Sequence, residues 1–226
     1  MSVALADLAW PHADRVRDSV LVVPVGATEQ HGPHLPLSTD TDIAVALAER
    51  LAAALGPEAI VAPALAYGAS GEHAGFAGTL SIGREAVEHV LVELGRSASA
   101  SFARIVLVSA HGGNAEPVAR AEERLRAEGR DVVALSPGFG GDAHAGRTET
   151  SVMLALHPER VRLPVAEAGA TAPLASLWAD LRARGVRAVS PNGVLGDPAG
   201  ASAEEGRRLL ETATARLVTA VVGAPR

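Results

Sequence analysis

Arg104-Ile-Val-Leu-Val-Ser109, running directly into Ala110-His-Gly-Gly-Asn114, is the stretch that decides the fold. Its apolar residues are unbroken rather than alternating, as in a strand covered on both faces. Ala115 to about Glu128 follows as a helix with one polar face, stopped at Gly129, and Asp131-Val-Val-Ala-Leu135 is the next strand. A strand, a crossover helix and a second strand make a right-handed parallel unit. The same alternation holds upstream. Ser19-Val-Leu-Val-Val-Pro-Val-Gly26 and Ala59-Ile-Val-Ala-Pro-Ala-Leu65 read as strands. Between and after them, Asp42 to about Leu55 carries Ile43, Leu47, Leu51 and Leu55 on one stripe, and Arg84 to about Ser99 carries Val87, Leu91 and Leu94. The pattern predicts an α/β fold with a mainly parallel central sheet flanked by helices on both faces.

The C-terminal third reads as helical: Glu149–Leu156, about Leu174–Arg184 and Ala203–Val222. Ser202 and Glu205 form an S-x-x-E capping box before the last of these. Gly138–Gly146 reads as a loop. No repeat or linker interrupts the chain, so residues 1–226 are expected to form one domain, in keeping with 226 residues.

Composition removes several chemistries. There is no cysteine, which excludes disulfides, thiolate nucleophiles and iron–sulfur ligation. All 20 basic residues are arginine, so Schiff-base and P-loop lysines are excluded too. A net charge of -6 argues against nucleic acid or an anionic membrane as partner. No segment approaches the ~18 apolar residues that a membrane span requires. The N-terminal Met-Ser-Val-Ala-Leu-Ala-Asp lacks the basic-then-apolar character of a secretion signal, so a cytoplasmic enzyme is expected.

Ligands of open parallel sheets bind beyond the carboxyl ends of the strands, and the unusual polar residues collect there. Strand one is followed by Thr28-Glu-Gln-His-Gly-Pro-His-Leu-Pro-Leu-Ser-Thr-Asp40, and strand two by Tyr67-Gly-Ala-Ser-Gly-Glu-His73. Strand three leads to His111-Gly-Gly-Asn114, and beyond strand four lie Asp142-Ala-His144 and Glu149. Glu29, His31 and Asp40 offer two carboxylates and an imidazole, a set that suits zinc, iron or manganese better than calcium. The competing reading has Thr39 and Asp40 capping a helix and His31 solvated. Gly112-Gly113-Asn114 reads as a tight strand-to-helix turn with Asn114 as cap, which leaves His111 as a candidate ligand. Glu149 is either a further ligand or a first-turn acid favoured by the helix dipole. His144 can shuttle protons near neutral pH. His12, His89 and His157 lie outside these loops.

Other chemistries lack their residues. Gly-Ala-Ser70-Gly-Glu misses the closing glycine of a nucleophile elbow, and the Gly138 loop does not complete a dinucleotide fingerprint. Metal-activated water is what survives.

Pro24-Val-Gly-Ala-Thr-Glu-Gln-His-Gly-Pro-His-Leu-Pro-Leu-Ser-Thr-Asp40, Ser109-Ala-His-Gly-Gly-Asn114 and His144-Ala-Gly-Arg-Thr-Glu-Thr-Ser151, in this order, resemble the creatininase family of metal-dependent amidohydrolases over nearly the whole chain. The resemblance implies a three-layer α/β fold, two divalent metal ions per subunit (zinc, iron or manganese) and a ring-like homo-oligomer, commonly a hexamer. It implies Glu29, His31, Asp40 and His111 as metal ligands with Asp40 bridging, His144 as the acid–base residue and Glu149 as a glutamate beside the metals. The implied chemistry is attack on an amide by a metal-bound hydroxide. Ser70 or a backbone N–H of Gly112 or Gly113 would orient the substrate.

One departure stands out: the creatinine-hydrolysing members carry a carboxylate ligand two positions after the histidine, where this chain has Gly113. Glu149 is expected to complete that shell instead. Substrate-loop tryptophans are missing as well, Trp10 and Trp178 being placed elsewhere. Both points count against creatinine. Val186-Arg-Ala-Val-Ser-Pro-Asn-Gly-Val-Leu-Gly-Asp197 adds to a likeness with the branch that trims a modified precursor peptide and releases its C-terminal Val–Tyr-derived unit. The alternatives are creatinine or a formylamino-pyrimidine as substrate, or a non-catalytic ligand-binding protein.

Overall fold

In the computed structural model, which describes residues 3–224, five parallel strands stand in the order β1-β3-β2-β4-β5. They are β1 (Val3–Ala4), β2 (Val20–Val25), β3 (Ala59–Val61), β4 (Arg104–Ser109) and β5 (Val132–Leu135). The helices are α1 (Trp10–Ala13), α2 (Thr39–Leu55), α3 (Arg84–Ala98), α4 (Ala115–Ala127), α5 (Arg147–Leu156), α6 (Leu174–Arg184), α7 (Val186–Val189) and α8 (Ala203–Gly223), with short 3-10 turns between them. No helix among the described residues is long and apolar enough to cross a membrane.

Strands β2 and β4 are buried along nearly their whole length, and their side chains divide by parity between two cores. Val22, Val106 and Val108 face α2, α5 and α8 through Leu47, Leu51, Met153, Leu210 and Leu217. Leu21, Val23, Ile105 and Leu107 face α3 and α4 through Val87, Leu91, Val118 and Leu125. This double coverage gives the three layers and explains the unbroken apolar runs. A smaller apolar cluster of Leu181, Val186 and Leu195 ties α6 and α7 to the loop after them.

The four expected strands form, and a fifth, β1, joins them at the edge. β3 ends at Val61, before Pro63, which has no N–H to give to a ladder. β1 is a two-residue edge strand, too short for any periodicity to announce. The helix expected from Asp42 begins at Thr39, whose hydroxyl donates to Pro36 O, so Asp40 lies inside its first turn rather than ahead of it. Only half of the capping box at α8 forms. Ser202 accepts from Glu205 N–H, whereas the Glu205 carboxylate pairs with Arg147.

Asn114 departs from its expected role as a cap, because two buried backbone groups compete for its amide. Its Oδ1 accepts from Ala69 N–H at 2.9 Å and its Nδ2 donates to Gly26 O at 2.9 Å. The side chain thus staples the loop after β3 to the end of β2. Asn114→Ala strands both groups away from water, and a loss of about 2 kcal/mol is expected from the shift in urea unfolding midpoint.

Candidate metal centre

β2 lies between β3 and β4, so the chain's crossovers leave it in opposite directions, and a crevice opens at that switch point. Residues 26–38 rise from β2, residues 62–83 follow β3, and His111 stands at the end of β4. Glu29, His31, Asp40, His111 and His144 are all buried at this one rim, and Glu149 is nearly so.

Asp40 is the hub. Its Oδ1 lies 3.1 Å from His31 Nε2 and its Oδ2 3.1 Å from His111 Nδ1, so the two oxygens face two different imidazoles. Donors from Glu29, Asp40 and His111 lie within 4.8 Å of one another, and so do those from His31, Asp40 and Glu149. A third grouping of the same compactness is Glu29, His31 and His144. The reading of Asp40 as a mere cap and of His31 as a solvated loop residue fails against this burial.

The histidines are oriented from behind. His31 Nδ1 lies 3.1 Å from Glu29 O, His111 Nε2 3.1 Å from Ala69 O and His144 Nε2 2.8 Å from Gln30 O. A carbonyl can only accept, so each of these nitrogens carries a proton, and the other nitrogen is the one a cation would meet. Those second nitrogens face carboxylates: His31 Nε2 and His111 Nδ1 toward Asp40, and His144 Nδ1 toward Glu29 Oε1 at 3.8 Å. Metal-binding histidines are held in this way.

Both Glu29 oxygens and Asp40 Oδ2 are buried without a hydrogen-bond partner. Leaving such groups unpaired is costly, and a cation would satisfy all three. Without a cation, protons must do that work. Burial, with Asp40 beside it, pushes Glu29 up to about 8. Burial works against charge on His31 and His111, yet the surrounding carboxylates, Asp40 foremost, raise both to about 10. Burial would raise Asp40 too, but those two imidazoles hold it well below the usual carboxylate range. Burial and then the charge on His31 lower His144 far under an ordinary histidine, so it is neutral.

Glu149 enters from the first turn of α5, with Oε2 accepting from Ala145 N–H at 2.6 Å and 3.9 Å from His31 Nε2. Ala145, between His144 and Glu149, has φ +53, a strained conformation for a residue with a side chain. Ser70 is buried, and its Oγ also lacks a partner. Gly112 is exposed and Gly113 partly so, on the turn after His111. His12 and His89 are exposed and His157 is half-buried, all three outside the rim groups.

Three neighbours escaped the sequence reading. Gln30 Nε2 lies 2.8 Å from His73 Nδ1 and donates to Gly193 O at 3.0 Å, while His73 Nε2 lies 3.2 Å from Glu29 Oε1. Burial, with the charges on His31 and His111, lowers His73 to about 3. His34 Nε2 meets Thr150 Oγ1 at 2.9 Å. Gln30 and His34 sit in the motif that marked their neighbours, and His73 closes the Gly-Glu-His turn at the same edge. Their types and places were the only signals.

Compact clusters of acids and imidazoles around a shared carboxylate, at the carboxyl edge of a parallel sheet, define the class of metal-dependent hydrolases. The creatininase family profile, described as creatinine amidohydrolase, matches residues 6–221, and the chain belongs to that family. Its relatives include the mycofactocin precursor peptide peptidases of Mycolicibacterium smegmatis and Mycobacterium ulcerans, 54% and 53% identical, each over 84% of this chain and 79% of the relative. The creatinine amidohydrolase of Pseudomonas putida is 34% identical over 72% of this chain and 75% of its own. Among solved structures, a manganese creatininase aligns over 98% of both chains with TM-score 0.84 and 29% identity. A zinc form of a creatininase mutant aligns over 98% of both with TM-score 0.83 and 28% identity. The chain is a creatininase-family amidohydrolase.

His31 and His111 keep their protons far above the ordinary 6.5, so the stability they lend the metal-free fold is complete below that pH and is lost as pH rises toward about 10. Glu29 adds a loss in the same direction between about 4.5 and 8. Metal-free protein is therefore expected to melt at lower temperature at pH 9 than at pH 7. Manganese needs the deprotonated donors, so its addition should raise the melting temperature more at pH 8 than at pH 6. Scanning calorimetry of metal-free protein at pH 7 and 9, and with and without manganese at pH 6 and 8, checks both signs.

Proposed function

We propose that this chain hydrolyses an amide bond of the mycofactocin precursor peptide, releasing its C-terminal Val–Tyr-derived unit. The observation that carries the chemistry is the pair of donor groups joined at Asp40. The identity of about 54% to peptidases of that name supports the substrate. In this reading Glu29, Asp40 and His111 hold one divalent ion and His31, Asp40 and Glu149 the other, with zinc, iron and manganese all compatible with the donors. When bound, such ions acidify water and polarise a carbonyl.

The chain's own residues do the rest. His144 presents Nδ1 to Glu29 with its Nε2–H held by Gln30 O, so Nδ1 is the atom that exchanges a proton with the leaving amine. The exposed Gly112–Gly113 turn offers backbone N–H groups to the peptide, whereas Ser70, being buried, serves it only from beneath. The enzyme acts in the cytoplasm as a homo-oligomer, a hexamer. The exposed Trp10 and Trp178 supply apolar surface for self-association.

Mass spectrometry of the matured precursor before and after incubation with metal-reconstituted enzyme tests the substrate. A released C-terminal fragment is the expected result. Turnover of creatinine or a formylamino-pyrimidine with the peptide left intact would move the chain to another branch, and binding without turnover would make it a ligand-binding protein. His144→Ala is expected to lower turnover about 100-fold while metal content is retained. Asp40→Asn is expected to strip metal from both positions, read by elemental analysis.

A further inference from the structure

Glu72 is a carboxylate at the mouth of the buried cluster that none of the donor groups uses. It sits on the 3-10 turn Gly71–His73, with its side chain 30% exposed while the Glu29, Asp40 and His111 side chains are 4% exposed or less. Its Oε1 lies 4.0 Å from His111 Nε2, and its only ionic neighbour among the described residues is that imidazole. The carboxylate reaches this place because position 113 has no side chain. A Cβ on Gly113 would stand 2.5 Å from Glu72 Oε1 and 2.5 Å from His111 Nε2.

The turn carrying Glu72 is fixed at both ends. Ala69 N–H is held by Asn114 and Ser70 N–H by Ser81 Oγ at 2.9 Å, and Gly185 packs against the Glu72 carbonyl. His73, the next residue, points the other way, to Glu29 and Gln30. Glu72 therefore stands on the His111 flank of Glu29, whereas His144 stands beside Glu29 Oε1 and His31. It lies 4.0 Å from one ring of the cluster, and at 30% exposure it is more open to solvent than Glu149 at 18%.

On the reading of this centre as an amide hydrolase, we propose that Glu72 is a further catalytic residue, which holds the attacking water and takes its proton. Glu72 Oε1 accepts the water's O–H, the bond from water oxygen to carbonyl carbon forms, and the proton passes to the carboxylate. The proton released from the water passes on from Glu72 through solvent to the neutral His144 at Nδ1; the C–N bond then breaks and the amine nitrogen takes that proton from Nδ1. Glu72 and His144 end the cycle as they began it, and one water is consumed.

Glu72→Gln keeps the shape and removes the proton acceptor. With manganese-loaded enzyme, run in parallel on the precursor peptide and on creatinine, kcat is expected to fall about 100-fold on whichever the wild type cleaves. KM, bound manganese by elemental analysis and melting temperature are expected to stay unchanged. Glu72→Ala is expected to regain part of the rate with added formate, which fits the vacated space. A Glu72→Gln enzyme with wild-type kcat overturns the proposal, and so does one that has lost its manganese, since Glu72 would then be a ligand. A wild type that spares the peptide but turns over creatinine defeats the peptide substrate while leaving Glu72 tested. A formylamino-pyrimidine is run as the third substrate, and an enzyme that cleaves none of the three is no amide hydrolase, which defeats both.

Discussion

The Asp40 carboxylate, with one oxygen on His31 and the other on His111, is the contact on which the rest of the structure depends. It brings the loop after β2 and the end of β4 to a single point in space. For Asp40 to be there, α2 must start immediately behind the rim and pack by Ile43, Leu47 and Leu51 against the sheet. The apolar core and the polar rim are thus two ends of one element. Burying several charges so close together is unfavourable in itself, and the fold tolerates it by sharing protons among acids and imidazoles.

Orientation is supplied from the backbone. Three histidines each spend one nitrogen on a main-chain carbonyl, and those carbonyls belong to Glu29, Gln30 and Ala69. The loops therefore position each other's side chains as well as their own. Asn114 locks the loop after β3 to the end of β2, so an error in one loop is passed to its neighbours.

Most of the architecture was legible because a parallel sheet covered on both sides leaves long apolar runs, and because ligands of such sheets sit at known strand ends. Glu29, His31, Asp40, His111, His144 and Glu149 could be named on that ground together with the family likeness. The rest was not legible, for physical reasons. Gln30 and His73 meet across 43 positions, and nothing in either local stretch specifies the meeting. Asn114 looked like a cap because capping is the nearest use of an asparagine before a helix, and only the folded loops offer it better partners. The α2 start shifted because Thr39 gives both its N–H and its hydroxyl to Pro36 O and so opens the first turn. Glu72 lay in the polar stretch Tyr67–His73 after strand two, but its approach to His111 could not be read there, since it depends on the missing side chain at Gly113.

The segment around Gly193 is tied to both Gln30 and His144. A Cβ there would fall 1.8 Å from Gln30 Oε1, and two residues on, Leu195 exchanges backbone hydrogen bonds with His144. Remodelling residues 190–195 would therefore disturb the His144 imidazole and the Gln30 amide at the same stroke. Substitutions in this segment are expected to travel with compensating changes around Gln30 and His144.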